Sequence, residues 1–202
     1  MRIVAGSLGG RVLKAPPGAA TRPTSEKVRE AMFAILPEVA GARVLDLFAG
    51  SGALGLEALS RGAAHVTFVD SGKAAIAALR SNIAALGVAD RATVVAGDAV
   101  AAAGRAPAAA RTSASACLAR TSACLARTSA GLAWNLVLVD PPYATDLAVR
   151  AALAAAPHVA ADAVIVIEHD RRHAPPEAIG SLLRTDQRRY GDTWLSFYGA
   201  PS

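Results

Sequence analysis

The chain has 202 residues, 53% hydrophobic and 18% charged, which describes one globular domain with room for an appendage and excludes a disordered tail protein. No uninterrupted apolar run approaches the roughly 20 residues that a membrane span needs, and the opening Met1-Arg2-Ile3-Val4-Ala5-Gly6 lacks a signal-peptide core, so a cytoplasmic protein with no membrane partner is expected. The net charge of +5 is uneven: residues 1–30 hold six basic and two acidic residues, and residues 111–133 hold three arginines and no acid, which points to a polyanion meeting the front of the protein.

Residues 2–5 and 11–14 read as the strands of a small β-hairpin around Gly6-Ser7-Leu8-Gly9-Gly10, closed by Pro16-Pro17-Gly18. Arg2, Arg11 and Lys14 can meet phosphates there, with glycines letting a nucleic-acid backbone come close. The plainer alternative is a solvated hairpin that packs on the domain. Thr21-Arg22-Pro23-Thr24-Ser25 then leads into a helix running to about Leu36, with Thr24 as its N-cap. Val28, Met32, Phe33, Ile35 and Leu36 supply its apolar face, Lys27 and Arg29 are expected off that face, and Pro37 stops it. Arg22 can meet either a cofactor carboxylate or a phosphate.

Residues 43–48 form the first strand of the main sheet, followed by the loop Ala49-Gly50-Ser51-Gly52-Ala53-Leu54-Gly55 and a helix over 56–61 closed by Gly62. Glycines at 50, 52 and 55 match the G-x-G-x-x-G pattern, in which the backbone turns tightly against a ligand at a helix amino terminus. The next strand, 65–69, ends at Asp70, placed to accept hydrogen bonds from two ribose hydroxyls. This unit suits either a nicotinamide cofactor or S-adenosylmethionine, and Asp46 separates them. A carboxylate there can reach a charged amino group through the loop or a water, whereas it would repel a pyrophosphate; its competing role is to tie down the glycine loop.

A helix over 73–86 carries a core stripe of Ile76, Leu79, Ile83 and Leu86, with Asn82 structural. The third strand, 92–96, leads to Gly97-Asp98-Ala99, where Asp98 either bonds an adenine amino group or closes the turn. Residues 101–133 break the pattern. Arg111-Thr112-Ser113-Ala114 recurs as Arg120-Thr121-Ser122-Ala123 and Arg127-Thr128-Ser129-Ala130, a low-complexity insertion over about 104–133 with no expected catalytic role. Cys117 and Cys124 both fall inside it and form no metal constellation with the four histidines, so no metal is expected.

Leu136-Val137-Leu138-Val139 reads as a buried parallel strand that runs into Asp140-Pro141-Pro142-Tyr143. The two prolines cannot donate backbone hydrogen bonds and push the chain out of helical space, so a carboxylate, a free carbonyl and an aromatic ring leave the sheet at its carboxyl edge. Such a turn suits an exocyclic amine: Asp140 and the Pro141 carbonyl accept from the NH2, and Tyr143 stacks on the ring. A helix over 147–156 and a fifth strand over 163–167 follow. The neighbours Glu168, His169 and Asp170 point different ways from a strand end and are read as structural, while Arg171, Arg172 and His173 extend the basic surface. The chain closes on an antiparallel pair, 181–190 and 193–198, turning at Gly191-Asp192.

An acid ending the first strand before a glycine loop, an acid ending the second, and Asp140-Pro141-Pro142-Tyr143 after the fourth resemble the class I methyltransferases that modify exocyclic amines. With Arg2-Ile3-Val4-Ala5-Gly6 and Thr21-Arg22-Pro23-Thr24-Ser25 added, the chain is similar to the 16S ribosomal RNA guanine-N2 methyltransferase family, RsmD, over nearly its whole length except the repeat. The resemblance implies a Rossmann-like α/β sheet, mostly parallel with an antiparallel C-terminal strand. Residues 1–20 would be an RNA-contacting hairpin and 21–202 the catalytic domain. It implies S-adenosylmethionine held by Asp46, Phe48, Ala49, Gly50, Gly52, Asp70, Ser71, Gly97, Asp98 and Ala99, and a flipped guanine held by Asp140, Pro141, Pro142 and Tyr143. The partner would be 16S rRNA in the assembling small subunit, met by a monomer through Arg2, Arg11, Lys14 and Arg22. The rival readings are a nicotinamide oxidoreductase, which leaves Asp46 and Asp140 without a task, a DNA adenine methyltransferase, and an RNA-binding module without catalysis.

Overall fold

The computed structural model describes residues 1–16, 25–107, 133–142 and 146–201. Thr24, Arg22, Tyr143, the repeat and both cysteines lie outside the described residues. Eight strands form one sheet in the order β3-β2-β1-β4-β5-β8-β7-β6. β1 (Arg43–Leu47), β2 (His65–Asp70), β3 (Ala92–Ala96), β4 (Trp134–Val139) and β5 (Val159–His169) are parallel. β8 (Thr193–Gly199) runs antiparallel to β5, and β7 (Leu182–Tyr190) and β6 (Ala178–Ile179) continue the antiparallel edge. The chain order reverses between β1 and β4, which is where an open α/β sheet leaves a crevice at its carboxyl edge.

Helices cover both faces. α1 (Glu26–Ile35), α2 (Ala53–Ser60) and α3 (Lys73–Leu86) pack on one side with Val44, Val66, Phe68, Leu138 and Val166. α4 (Ala99–Ala103) and α5 (Leu147–Ala155) pack on the other with Leu45, Leu47, Val137, Val139 and Ile167. The α5 face that meets the sheet is Ala148, Ala151, Ala152 and Ala155. Much of the chain's high apolar fraction is therefore small side chains that bring a helix close to the sheet. Among the described residues no helix is long and apolar enough to cross a membrane.

The expected hairpin forms with a single antiparallel bridge, Arg2 to Val12, and its apolar residues Ile3 and Leu13 enter the core beneath α1 to α3. Its turn is docked rather than solvated. Gly6 has φ +83°, and a Cβ there would lie 2.1 Å from the Ser60 carbonyl oxygen. Glycine at this position thus serves contact with α2, while Gly10 is the one left facing open space.

Two expectations for α1 are corrected. Ser25 is the N-cap, its hydroxyl accepting from Val28 N at 3.2 Å. Arg29 is fully buried, not off the apolar face. It lies three and four residues before Met32 and Phe33, so helical geometry puts all three on one side. The fifth strand is also longer than expected, spanning Val159–His169, and α2 begins at Ala53, three residues early.

The reason Arg29 is tolerated is Glu57 of α2, also fully buried. Its carboxylate accepts from Val4 N at 2.7 Å, Ala5 N at 3.0 Å and Arg61 Nε at 2.9 Å. Arg29 Nε stands 3.4 Å from it as an ion pair, and an Arg29 NH2 group donates to the Arg2 carbonyl. Arg29 Nε and Nη1 make no hydrogen bond among the described residues. Ser60, one turn on, accepts from Leu8 N at 2.9 Å and its carbonyl accepts from Ser7 N at 2.8 Å. α2 is buried almost all round because the hairpin covers its outer side.

Candidate active site

The glycine loop leaves β1 through a left-handed residue that is not glycine: Phe48 has φ +60°, a conformation L side chains adopt at a cost. Gly50 and Gly52 follow at φ +57° and +83°. The three glycines do different work. A Cβ on Gly52 would lie 2.4 Å from Leu79 Cδ1, and one on Gly55 would lie 2.4 Å from Phe68 Cε1 and 2.9 Å from Asp46 Oδ2. Those two let α2 settle onto the sheet. At Gly50 the nearest atom would be 4.0 Å away, and at Gly97 nothing lies within 4 Å. Open space at these two strand ends is where a ligand would approach the backbone.

This division predicts opposite phenotypes. Gly55→Ala should cost about 1–3 kcal/mol of stability by overpacking and lower the denaturant midpoint. Gly50→Ala meets no steric clash but must hold alanine at φ +57°, so it should lose only about 1 kcal/mol while weakening ligand binding. Denaturant titration beside a ligand titration checks both, and equal destabilisation of the two variants would contradict the assignment.

Three carboxylates converge on the loop. Asp46 is buried and accepts from Gly55 N at 2.9 Å, so it does tie down the start of α2. Asp70 accepts from Gly50 N at 2.8 Å with one oxygen and from Gly72 N at 2.7 Å with the other. Asp140 N donates to the Leu47 carbonyl at 3.5 Å, keeping the Asp140 turn against the end of β1. Pro141 is buried and Pro142 exposed, so the turn leaves the sheet at once. Burial pushes the Asp46 carboxyl up to about 8, opposed by the Gly55 N–H and assisted by the charges of Asp140 and Asp70.

That shift has a sign that can be measured. The folded chain holds the Asp46 proton to about pH 8, whereas the unfolded chain releases it near the ordinary 3.8. The folded form binds more protons across this window, so Asp46 contributes stability in full below pH 3.8 and loses it as pH rises through about 8. Denaturation profiles of the wild type and Asp46→Asn should therefore diverge over that range, the variant losing less stability with rising pH. Parallel profiles would refute a buried protonated Asp46.

Of the remaining expected residues, Asp98 is exposed and caps α4, one oxygen accepting from Ala101 N at 2.8 Å. Ser71 is exposed and Ala99 buried, and the Ala49 and Gly97 N–H groups bond the β2 carbonyls of Val69 and Asp70, fixing the loop ends to one another. On the hairpin, Arg2 pairs with Glu26 at 3.0 Å and Arg11 is exposed. Lys14 N donates to Asn82 Oδ1 at 2.9 Å, and Asn82 Nδ2 donates to the carbonyls of Lys14 and Ser51. Asn82 is structural as expected, and what it joins is the hairpin and the glycine loop.

His169 accepts or donates to Ser196 Oγ at 2.9 Å, stacks on Trp194 and sits below its usual pKa through burial, while Asp170 binds the backbone and ring of His173. Glu168, His169 and Asp170 therefore form no acid–base cluster. Glu168 itself, at 4% exposure, is a buried acid on the site edge. Its signal was available in the alternation of β5, which puts it on the same face as Val166.

The donor set fits a cationic group. Three acids face one loop: burial is the main reason Asp46 is raised, and the charges of Asp140 and Asp70 add to it, so a positive ligand is favoured there and a pyrophosphate would be repelled.

Comparison with known proteins agrees with this geometry. The family model described as Conserved hypothetical protein 95 matches residues 1–115 and 108–199, the two matches meeting inside the repeat. YlbH of Bacillus subtilis (strain 168), an rRNA methyltransferase by name, is 38% identical over 202 residues, covering 98% of this chain and 98% of the relative. Ribosomal RNA small subunit methyltransferase D of Escherichia coli (strain K12) is 47% identical over 87 residues, which are 43% of this chain and 44% of that one. The solved structure of yhhF from Escherichia coli, named as a methyltransferase, superposes with a TM-score of 0.77 at 30% identity, covering 100% of this chain and 99% of that one. With the family model and a full-length relative both matching, the chain belongs to the Conserved hypothetical protein 95 family, the RsmD-type methyltransferases with a Rossmann-like class I fold.

Proposed function

We propose that the protein methylates ribosomal RNA from S-adenosylmethionine, at the exocyclic N2 of one guanine in 16S rRNA. The observation that carries the reading is the ring of Asp46, Asp70 and Asp140 around an open Gly50, with the Asp140 turn delivered beside the ligand loop by the pairing of β4 with β1. When bound, S-adenosylmethionine supplies an electrophilic methyl group on a sulfonium, so the protein's part is alignment and exclusion of water.

Asp70 and Ser71 would meet the ribose, Gly50 and Gly97 would admit the backbone close to the cofactor, and the free oxygen of Asp98 would face adenine. Phe48, Ala49, Gly52 and Ala99 would shape that cradle. Asp140 and the Pro141 carbonyl accept hydrogen bonds from the guanine amine and turn its lone pair outward. Asp140 also stabilises the positive charge that grows on N2. The methylated nitrogen is acidic enough to give its proton to water. Tyr143, next after Pro142, is assigned base stacking on sequence grounds. The base must leave its helix or loop to reach this edge.

Residues 1–20 would serve as the RNA-contacting arm, with Arg11 and Lys14 toward phosphates and Arg2 shared with Glu26, and Arg22 is assigned to the same role on sequence grounds. The arm's rigid seat on Glu57 and Ser60 supports this, because a fixed arm positions RNA better than a loose one. The substrate would be the assembling small subunit, met in the cytoplasm by a monomer. The test is tritiated methyl transfer to 16S rRNA from a strain lacking the endogenous enzyme, naked and in small subunits, with the modified nucleoside mapped. N2-methylguanine at one position supports the reading; methyl groups on adenine, or none, reject it.

A further inference from the structure

β4 and β5 end side by side. Their last paired rung is Val139 with Ile167, so Asp140 and Glu168 occupy the rung beyond it. Side chains alternate along each strand: Leu136, Leu138 and Val166 face the α1 to α3 side, and Val137, Val139, Ile165 and Ile167 face the other. Asp140 and Glu168 therefore both turn toward α1 to α3. Independent observations agree for each. Asp140 acts on the charge of Asp46, which lies on that face between Leu45 and Leu47. Glu168 is in register with Leu195, which lies in the same core layer. Neighbouring strands are about 4.8 Å apart, so two carboxyl groups stand abreast at the edge where the base would enter.

We infer that Glu168 reads the N1–H of the target guanine while Asp140 holds its N2, an assignment that rests on the guanine-N2 reading above. Guanine offers two adjacent donors on its Watson–Crick edge, N1–H and the N2 amine. Two neighbouring carboxylates match that pair of donors. Adenine offers its amine beside an N1 lone pair, which a second carboxylate repels. The Asp140-Pro141-Pro142 turn binds any planar amine, so it cannot select guanine by itself; Glu168 supplies the selection. Accepting the N1–H also shifts electron density toward N2, the attacking atom. Glu168 acts on the base and leaves the cofactor loop untouched.

The test uses small subunits reconstituted with 16S rRNA that carries guanine or 2-aminopurine at the mapped nucleotide. 2-Aminopurine keeps the amine and replaces N1–H with a lone pair. The wild type should favour guanine by on the order of tenfold to a hundredfold in kcat/KM, the scale of one unsatisfied buried polar group. Glu168→Gln can turn its amide NH2 to the N1 lone pair, so the ratio should shrink by about tenfold or more, with S-adenosylmethionine affinity and melting temperature at wild-type values. Equal wild-type rates on the two bases overturn the inference without any variant, and so does an unchanged ratio in Glu168→Gln. Absence of wild-type transfer to guanine is a different failure: it removes the function reading, and this assignment with it.

Discussion

Asp140→Ala should lower methyl transfer by on the order of a thousandfold while S-adenosylmethionine binds within about tenfold of its wild-type affinity, the scale of one screened charge. The separation of the two effects follows from where the residue stands. Asp140 is one strand over from the glycine loop, held there by its N–H on the Leu47 carbonyl, and its charge reaches Asp46. The cradle is built by Asp70 on Gly50 and Gly72, and by Asp46 on Gly55, none of which changes when Asp140 is truncated. The amine would lose the acceptor that orients it and the charge that offsets its own as the bond forms. Asp140→Asn retains one acceptor oxygen and should fall between the two. Single-turnover transfer with cofactor binding measured on the same preparation checks this. Transfer at the wild-type rate in Asp140→Ala would reject any role for the turn in chemistry.

Much of this site is readable from residues alone because it is made of strand ends. An apolar run that stops at an acid names both the strand and the side chain at its edge, and Asp70 and Asp140 were legible in that way; Asp46, one residue inside the end of β1, was legible from the glycine loop that follows it. α3 and β3 match their expected bounds for the same reason: periodicity is a local property. Partnership is not local. Thr24 and Ser25 are both good caps, and only the backbone decides which one reaches Val28. Arg29 and Glu57 look like surface charges because a helix with two polar residues is usually half exposed; nothing nearby in sequence says that the hairpin lies over α2. Spacing held a partial signal in each case, since Arg29 shares a face with Met32 and Phe33, and Glu57 sits in a helix with hardly a polar side to offer. Glu168 escaped for another reason. Alternation shows that 168–170 point different ways, but which face of β5 meets the site is set by its pairing with β4, and that is not written in the strand itself.

Glu57→Ala should destabilise the protein by about 3–5 kcal/mol, the range for removing one partner of a buried ion pair. At this chain length that is a drop in melting temperature of roughly 10 °C. The loss has two sources. Arg29 would remain fully buried with its charge unopposed, and two of its nitrogens already lack a hydrogen bond among the described residues. The N–H groups of Val4 and Ala5 would lose their acceptor as well, at 2.7 and 3.0 Å in the intact protein. Stability and hairpin docking should therefore fail together, with amide exchange at Val4 and Ala5 accelerating more than at β1 or β4. The double variant Arg29→Met with Glu57→Gln separates the sources. It removes both charges, and the Gln oxygen still accepts from one of the two backbone donors, so it should recover more than half of the lost stability. A Glu57→Ala protein that melts like the wild type, with Val4 and Ala5 still protected, would show that the hairpin is held by Ile3, Leu13 and Ser60 alone. If the double variant proves no better than Glu57→Ala, the unpaired backbone N–H groups and not the stranded guanidinium set the cost.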